Sequence, residues 1–305
     1  MAQDYFGFKK PSNKIIVAAI GNIFYTEYYL ESATNAYAGR VAMSGTNADD
    51  LVVADGATAM PLGFIGFEQS FLGSTSYTAN RPATVDTIWT SGAKVPVIMG
   101  GGFWIVGAIA IGVKVAKGDL LAPWGGGTLV PVVPLMGGYG VRIPFTKQAT
   151  EADTGIDLPS GMIVSDVMVK CTTNAGSATI DIGLGDGTES GFDADGFVDG
   201  ASLATAGWVQ HIDGDTTEAN NTLGALLVKA SVKSADTSAK YFDLKKLHVC
   251  DGTCVSISYT TSDHTVAGDM YVICNGLGFY PVAIAEEDIT TATSAVTDCM
   301  VRSLI

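Results

Sequence analysis

Short runs of β-branched and aromatic residues, separated by glycine and proline, recur between residue 39 and about residue 143. Runs of this length and composition are typical of β-strands, and no helix of ordinary length fits between the turn residues. The runs lie at residues 40–43, 51–53, 64–67, 84–89, 95–99, 103–106, 109–115 and 128–133. This pattern predicts a compact, barrel-like β-domain.

A second pattern begins after a polar linker at residues 147–155. Apolar and polar positions then alternate, as they do in half-buried antiparallel strands. The alternating segments lie at residues 163–171, 178–184, 223–231, 244–250, 254–260 and 269–274. Strands in this number, with turns between them, predict an antiparallel β-sandwich that is jelly-roll-like.

The last segment, from Pro281 onward, returns to the short-strand pattern of the first domain. We therefore expect a discontinuous β-domain at residues 39–146 and 279–305, an inserted sandwich at 147–278 and an N-terminal arm at 1–38. Such an insertion is tolerated because loop-closure entropy grows only with the logarithm of loop length. Residues 295–304 should then pair in the same sheet system as the strands that precede residue 145.

The uncharged stretch at residues 95–113, between Lys94 and Lys114, is long enough to span a bilayer as a helix. Its triple glycine, from Gly100 to Gly102, disfavours a helix because each glycine costs about 1 kcal/mol relative to alanine. Two strands around a glycine turn explain the stretch better. We therefore expect no membrane partner.

Charge and cysteine content exclude further classes of protein. The 305 residues include 31 acidic and 17 basic side chains, for a net charge of −14. This balance argues against direct nucleic-acid binding, which needs clustered Lys and Arg to neutralise phosphates.

Five cysteines are too few, and odd in number, for a disulfide scaffold, so assembly in a reducing cytoplasm is expected. A secretory signal is not expected, because Lys9, Lys10 and Lys14 precede only a short apolar run at residues 15–20.

A dense acidic loop at residues 185–200 is a candidate cation site. Asp193, Asp195 and Asp199 resemble the alternating carboxylates that converge on Ca²⁺. An EF-hand loop would have Asp or Asn at the position of Phe197 and a Glu further on, and this sequence has neither. The loop is therefore interpreted either as a solvated acidic segment or as a structural calcium site.

A His-x-Cys-x₃-Cys run, formed by His248, Cys250 and Cys254, lies on a hairpin with its turn at Asp251-Gly252. Zinc would need a fourth ligand, for which Cys274 is one candidate and Cys171 another. Three interpretations stay open for these cysteines: small buried hydrophobes, a cross-strand disulfide, or a metal site.

Catalytic signatures are missing from the sequence. It contains no Gly-x-Ser-x-Gly, His-Glu-x-x-His, Walker or Gly-x-Gly-x-x-Gly motif, so we predict that the chain is not an enzyme. The two tryptophans considered as sugar platforms, Trp124 and Trp208, are interpreted instead as core or interface residues, because large aromatics mostly serve packing.

The N-terminal arm carries an aromatic and basic tip. Tyr5, Phe6 and Phe8 stand beside Lys9 and Lys10. The tip is either a frayed terminus or an arm that docks on a neighbouring subunit, since Tyr and Phe are good interface anchors.

Several turn-and-strand motifs at both ends of the chain resemble one family. They are Gly39-Arg-Val, Val53-Ala-Asp-Gly-Ala with Pro61-Leu-Gly, Lys117-Gly-Asp, and Val282-Ala-Ile-Ala-Glu-Glu-Asp-Ile before a closing strand. Residues 1–143 and 280–305 are in this respect similar to the head-decoration (capsid cement) proteins of tailed double-stranded DNA viruses. The middle of the chain has no counterpart in the minimal family.

The resemblance implies a structural role. It implies a homotrimer, made in the host cytoplasm, that binds the major capsid protein on the outer capsid surface and braces the shell against DNA pressure. The tip residues at positions 5, 6 and 8–10 would be its capsid contacts, and strand edges could add to capsid strands. Two alternatives remain: a sandwich that binds a host glycan, and a cell-surface protein.

Overall fold

The structure is a computed structural model that describes residues 4–5, 8–9, 18–19, 23–67, 87–135, 138–185, 192–209, 222–233, 241–252, 256–291 and 293–305. The regular elements of these residues are strands and one 3-10 turn, so the predicted all-β fold class is confirmed. The first strands are β1 Asp4–Tyr5, β2 Phe8–Lys9, β3 Ala18–Ala19, β4 Phe24–Leu30, β5 Val41–Ser44, β6 Asp50–Val53, β7 Pro61–Ile65, β8 Lys94–Met99, β9 Phe103–Ile109, β10 Leu120–Trp124 and β11 Thr128–Leu135. The rest are β12 Gly138–Thr146, β13 Ala152–Asp157, β14 Ile163–Thr173, β15 Thr179–Leu184, β16 Asp193–Ser202, β17 Gly207–Val209, β18 Val228–Lys233, β19 Tyr241–Lys245, β20 His248–Val249, β21 Ser256–Thr261, β22 Ala267–Asn275, β23 Ala283–Ala285 and β24 Thr297–Ser303.

The chain divides into two compact units. Unit 1 comprises Met1–Val132 and Gly276–Ile305, and unit 2 comprises Val133–Asn275. The predicted domain boundaries, after residues 38, 146 and 278, stay predictions. Strand β12 belongs to unit 2 because it pairs with β22 along its length, and β4, within the predicted arm, is a strand of a barrel in unit 1.

Five strands of unit 1 form a closed barrel in the order β4-β6-β5-β7-β8. Four of its pairings are antiparallel, and β4 pairs with β6 in parallel at Tyr29 and Leu30. Its interior is filled mainly by aliphatic side chains around Trp89, which is fully buried. Strands β7 and β8 are buried at most of their positions, whereas β4 is buried only at Leu30.

A second set of strands in unit 1 has the order β3-β9-β24-β23-β10-β11. A parallel pair, Leu129 with Ile109, also joins β11 to β9, so the five strands from β9 to β11 close on themselves. The closing strand β24 pairs with β9 from Thr297 to Arg302, which confirms the predicted pairing of the C-terminal segment. Strand β9 is buried over its full length.

The glycine run at residues 100–102 is a turn between β8 and β9. All three glycines have positive φ, at 108°, 57° and 74°, which other residues adopt only with strain. The predicted pair of strands around a glycine turn is therefore confirmed. In the part of the chain that the structure describes, no helix is long and apolar enough to cross a membrane.

Unit 2 is a sandwich of two antiparallel sheets. One has the order β17-β14-β22-β12, with β20 paired to the start of β14, and the other has the order β13-β21-β15-β16. Buried residues alternate with half-buried ones along the second half of β12. Phe145 of the first sheet contacts Tyr259 of the second, with ring centroids 6.4 Å apart. Strands β18 and β19 form a separate hairpin.

Several local expectations differ from the structure. Residues 87–89 and 223–227, expected within strands at 84–89 and 223–231, lie outside the strands. Residues 193–202 form β16, not a loop, because Phe197, Val198 and Ala201 bury apolar side chains that the acidic neighbours conceal in the sequence. The polar linker contains β13, whose backbone pairs with β21 despite its polar side chains. Residues 110–115 form a loop after β9, held by backbone hydrogen bonds to Leu129 and Thr293 and by a bridge between Val115 and Ile289.

Candidate functional sites

The predicted capsid-contact tip lies partly in the described residues. Strands β1 and β2 pair antiparallel, with Tyr5 opposite Phe8 and Lys9 opposite Asp4. Phe6 and Lys10 lie outside the described residues. The tip therefore has hairpin pairing, and its role in docking stays a prediction.

A larger aromatic surface lies on barrel strand β4, which sequence reasoning had placed in the arm. Phe24, Tyr25 and Tyr29 expose 59%, 42% and 46% of their surface. The ammonium nitrogen of Lys94, on the neighbouring strand, lies 5.2 Å from the centre of the Tyr29 ring, within cation–π range. Exposed aromatic clusters of this kind mark interaction sites more often than ordinary surface. We call these three residues the β4 aromatic surface.

The signal for this surface was present in the sequence as the run Phe24-Tyr-Thr-Glu-Tyr-Tyr. A barrel strand with one face on the core should alternate apolar and polar residues. This strand places aromatic residues on both faces, and only the inward face can be buried. The excess of aromatic residues over core positions identifies the outward ones as surface.

The motifs that carry the family resemblance meet in unit 1. The Asp288 carboxylate accepts a hydrogen bond from the Lys117 backbone N–H at 2.8 Å. The Gly118 N–H donates to the Ala285 carbonyl at 2.8 Å, and the Ala285 N–H donates to the Asp119 carbonyl at 2.9 Å. These contacts fix the turn before β10 against the C-terminal segment, so they stabilise the fold.

The acidic residues next to this turn also have structural partners. Glu287 accepts a hydrogen bond from the Met300 backbone N–H at 2.6 Å. Buried Glu286 forms an ion pair with Arg302, whose Nε lies 3.3 Å from the Glu286 Oε1. A buried carboxylate with a cationic partner avoids the penalty of an uncompensated charge. The Glu-Glu-Asp sequence thus fastens the closing strand.

The predicted calcium residues lie on β16, beside Asp181 of β15. Burial raises the pKa of Asp193 to about 6, and a hydrogen bond to Asp195 together with that residue's charge adds to the shift. Burial, and then the charge of Asp195, raises the pKa of Asp199 above its usual range. Burial also raises the pKa of Asp181, whose carboxylate accepts the Gly200 N–H at 2.6 Å. Crowded carboxylates of this kind favour a proton or a cation.

Metal ligation by these carboxylates stays a prediction. Within the described ranges, no three His, Cys, Asp or Glu side chains are arranged to hold a metal ion. Residues 186–191, which continue the acidic segment, lie outside those ranges.

The His-Cys run is also only partly described, because Cys254 lies outside the described residues. Cys250 is buried, as is Cys274, and burial raises the pKa of both thiols. Half-burial lowers the pKa of His248, whose ring packs edge-on against Phe197 at 5.6 Å between centroids. Buried, protonated thiols behave as small hydrophobes, which is the first of the three interpretations left open above.

The two tryptophans singled out in the sequence differ in their surroundings. Trp124 is buried and contacts Phe279 in unit 1, with ring centroids 5.5 Å apart, so it is a core residue as expected. Trp208 exposes 48% of its surface on strand β17 of unit 2. Its ring contacts Tyr271 at 5.2 Å, and the Lys170 Nζ lies 5.8 Å from its centre. It is a surface residue, which composition alone could not indicate.

Comparison with known proteins adds no identification: the chain matches no protein-family model and no curated protein sequence.

Proposed function

We propose that this chain is a structural virion protein that binds the outer surface of an icosahedral capsid and stabilises it against internal DNA pressure. The observation that carries the proposal is the β4 aromatic surface, where Phe24, Tyr25 and Tyr29 are exposed on one strand of a closed barrel and Tyr25 and Tyr29 share a face. Tyr and Phe anchor protein interfaces because they bury a large area with little loss of side-chain entropy. A protein that attaches to a capsid needs anchors of this kind.

The charge of the chain supports the same assignment. A net charge of −14 opposes contact with packaged DNA and suits the outer face of the shell. The partners proposed are the major capsid protein and two further copies of this chain in a homotrimer. A trimer that touches several capsid subunits gains effective concentration at each added contact, so modest contacts sum to firm attachment.

The test uses the full chain and undecorated capsids. The protein should be trimeric and should bind expanded shells more tightly than compact precursors, because the matching lattice forms only on expansion. Decorated shells should survive higher temperature or osmotic shock than bare ones. A stable monomer without capsid affinity would contradict the proposal.

Substitutions locate the contact. Changing Phe24, Tyr25 and Tyr29 together to Ala should weaken attachment at least tenfold, since truncating one interface anchor commonly costs about 2 kcal/mol or more. The matched control is Leu247→Ala, which removes an equally exposed apolar side chain from unit 2. Removal of the tip at residues 1–10 should likewise weaken attachment more than it weakens folding.

A second candidate function is carbohydrate recognition by the sandwich. The exposed indole of Trp208 favours it, because a flat aromatic face presented to solvent is a binding surface for sugar rings. The two functions are compatible in one virion protein, because the observations that support them lie in different units.

A further inference from the structure

The Trp208 indole lies across the sheet instead of projecting from it. Trp208 pairs with Lys170 of β14, and β14 pairs on its other side with β22, where Tyr271 lies opposite Met168. Two strand spacings of about 4.8 Å would separate the outer backbones by about 10 Å. The ring centroids of Trp208 and Tyr271 are only 5.2 Å apart, so the two side chains lean toward each other over β14. Trp208 still exposes 48% of its surface, whereas Tyr271 is buried.

Charged groups lie close to the Trp208 ring. Lys170 is exposed, and its Nζ lies over the ring, 5.8 Å from its centre, within cation–π range. Asp269 pairs directly with Lys170 across the strands, so both side chains stand on the face that carries the indole. An ammonium group supplies three hydrogen-bond donors, and a carboxylate supplies only acceptors. The patch thus combines a flat apolar surface with a donor and an acceptor beside it.

We propose that this face of unit 2, with Trp208 as a stacking platform and Lys170 and Asp269 as polar partners, binds a pyranose sugar. A pyranose ring has a face of C–H groups, whose partial positive charge suits the negative face of an aromatic ring. Each sugar hydroxyl group can both donate and accept a hydrogen bond. Lys170 offers donors and Asp269 offers acceptors, so together they can bind hydroxyl groups in both ways. The inference rests on the second candidate function and is independent of capsid attachment.

The size of the patch favours a sugar over a protein partner. Among the described residues of β12, β14, β17 and β22, Trp208 is the one large hydrophobic side chain that is exposed. A protein interface of standard size buries about 800 Å² on each partner, which one indole cannot supply. One sugar ring covers one indole. A single contact of this kind is weak, with a dissociation constant on the order of millimolar, and clustered copies on a virion would compensate by multivalency.

Quenching of Trp208 fluorescence by acrylamide provides a direct test. The other tryptophans, Trp89, Trp104 and Trp124, are buried in unit 1, so acrylamide should quench mainly Trp208. The full chain is first applied to a panel of immobilised oligosaccharides built from galactose, glucose, mannose and N-acetylhexosamines. The saccharides that retain it are then added in solution, and we expect them to shield Trp208 from acrylamide.

Variants assign the binding to this face. Trp208→Ala should lower the affinity at least tenfold, which corresponds to about 1.4 kcal/mol, whereas Trp208→Phe should keep part of it. Asp269→Asn should weaken binding less than Trp208→Ala. The control, Met60→Ala, removes an exposed apolar side chain from unit 1 and should leave sugar binding unchanged.

Two results would overturn the inference. One is that no saccharide of the panel shields Trp208, and the other is that Trp208→Ala binds the retained saccharides as well as the parent does. If Trp208→Ala instead weakens capsid attachment, the indole belongs to a protein interface and the sugar site is refuted. Failure of capsid attachment in the parent chain would contradict the first proposed function and leave the sugar measurement standing.

Discussion

Substitution of Gly56 by Ala should destabilise unit 1, because the glycine lies where the returning chain docks. Its φ is 75°, and a Cβ added there would lie 2.4 Å from the Pro123 carbonyl oxygen of β10. The Gly56 carbonyl also accepts the N–H of Gly278 at 3.2 Å, and the next carbonyl, of Ala57, accepts the N–H of Leu277 at 3.1 Å. The turn therefore cannot move away from Pro123 without weakening these hydrogen bonds.

The magnitude follows from separate contributions. A left-handed φ costs an alanine about 1 to 2 kcal/mol, of which about 0.4 to 1 kcal/mol is offset by the lower entropy of the unfolded chain. Relief of the contact requires a backbone shift of about 1 Å, which would weaken the two hydrogen bonds at about 1 kcal/mol each. We expect Gly56→Ala to lower the free energy of unfolding by about 3 kcal/mol.

The matched control is Gly118→Ala. Gly118 also has positive φ, at 94°, but a Cβ added there meets no atom within 4 Å. This variant should lose about 1 kcal/mol from the backbone conformation alone. The difference between the two variants, about 2 kcal/mol, isolates the close approach to Pro123.

Urea denaturation of the full chain, followed by tryptophan emission, measures both variants. Trp89, Trp104 and Trp124 are buried in unit 1, whereas Trp208 of unit 2 is already half exposed, so the emission shift reports mainly unit 1. Equal midpoints for Gly56→Ala and Gly118→Ala would refute the reasoning, since they would mean that β10 yields to the added methyl group without loss.

Three further predictions concern unit 2 and the cysteines. Asp193 has a folded pKa of about 6 against an ordinary value of 3.8, so the folded state holds the proton more tightly. The free energy of unfolding should therefore fall as pH rises from about 4 to about 6, and Asp193→Asn should flatten this dependence in denaturant titrations at each pH. If Asp193, Asp195 and Asp199 bind Ca²⁺, a hundredfold excess over the dissociation constant should add about 2.7 kcal/mol, and a melting temperature unaffected by chelator would contradict that site. Ellman's reagent should titrate no more than one thiol of the native chain, because four of the five cysteines are buried: Cys171, Cys250, Cys274 and Cys299.

Periodicity alone was sufficient for much of the fold. The alternation of β14 and the glycine turn before β9 follow from local chemistry, because burial in a strand with one face on the core repeats every second residue. The return of the last strand to the first unit could also be predicted, since the residues of β24 repeat the pattern of the early strands and β24 does pair with β9.

What the sequence did not predict depends on tertiary position. Strand β16 carries three Asp residues on positions that solvent or neighbouring carboxylates can reach, so its polar content resembles a loop. Tryptophan is a residue type that is usually packed in a core. Trp208 is exposed because it lies on β17, at the edge of the sheet. The outward aromatics of β4 are distinguishable from core residues only once the barrel shows which face is inward.

The two exposed aromatic surfaces differ in a way that separates their functions. The β4 surface has several large rings on a barrel of unit 1, and the Trp208 face has one ring between charged side chains in unit 2. Substitutions that share no partners usually have additive effects on free energy, within about 0.5 kcal/mol. Loss of capsid attachment in the Phe24, Tyr25 and Tyr29 variant and loss of sugar binding in Trp208→Ala should therefore combine in one chain without changing each other. A combined variant whose sugar affinity falls well below that of Trp208→Ala would show that the β4 surface acts on the sandwich, and the assignment of one function to each unit would fail.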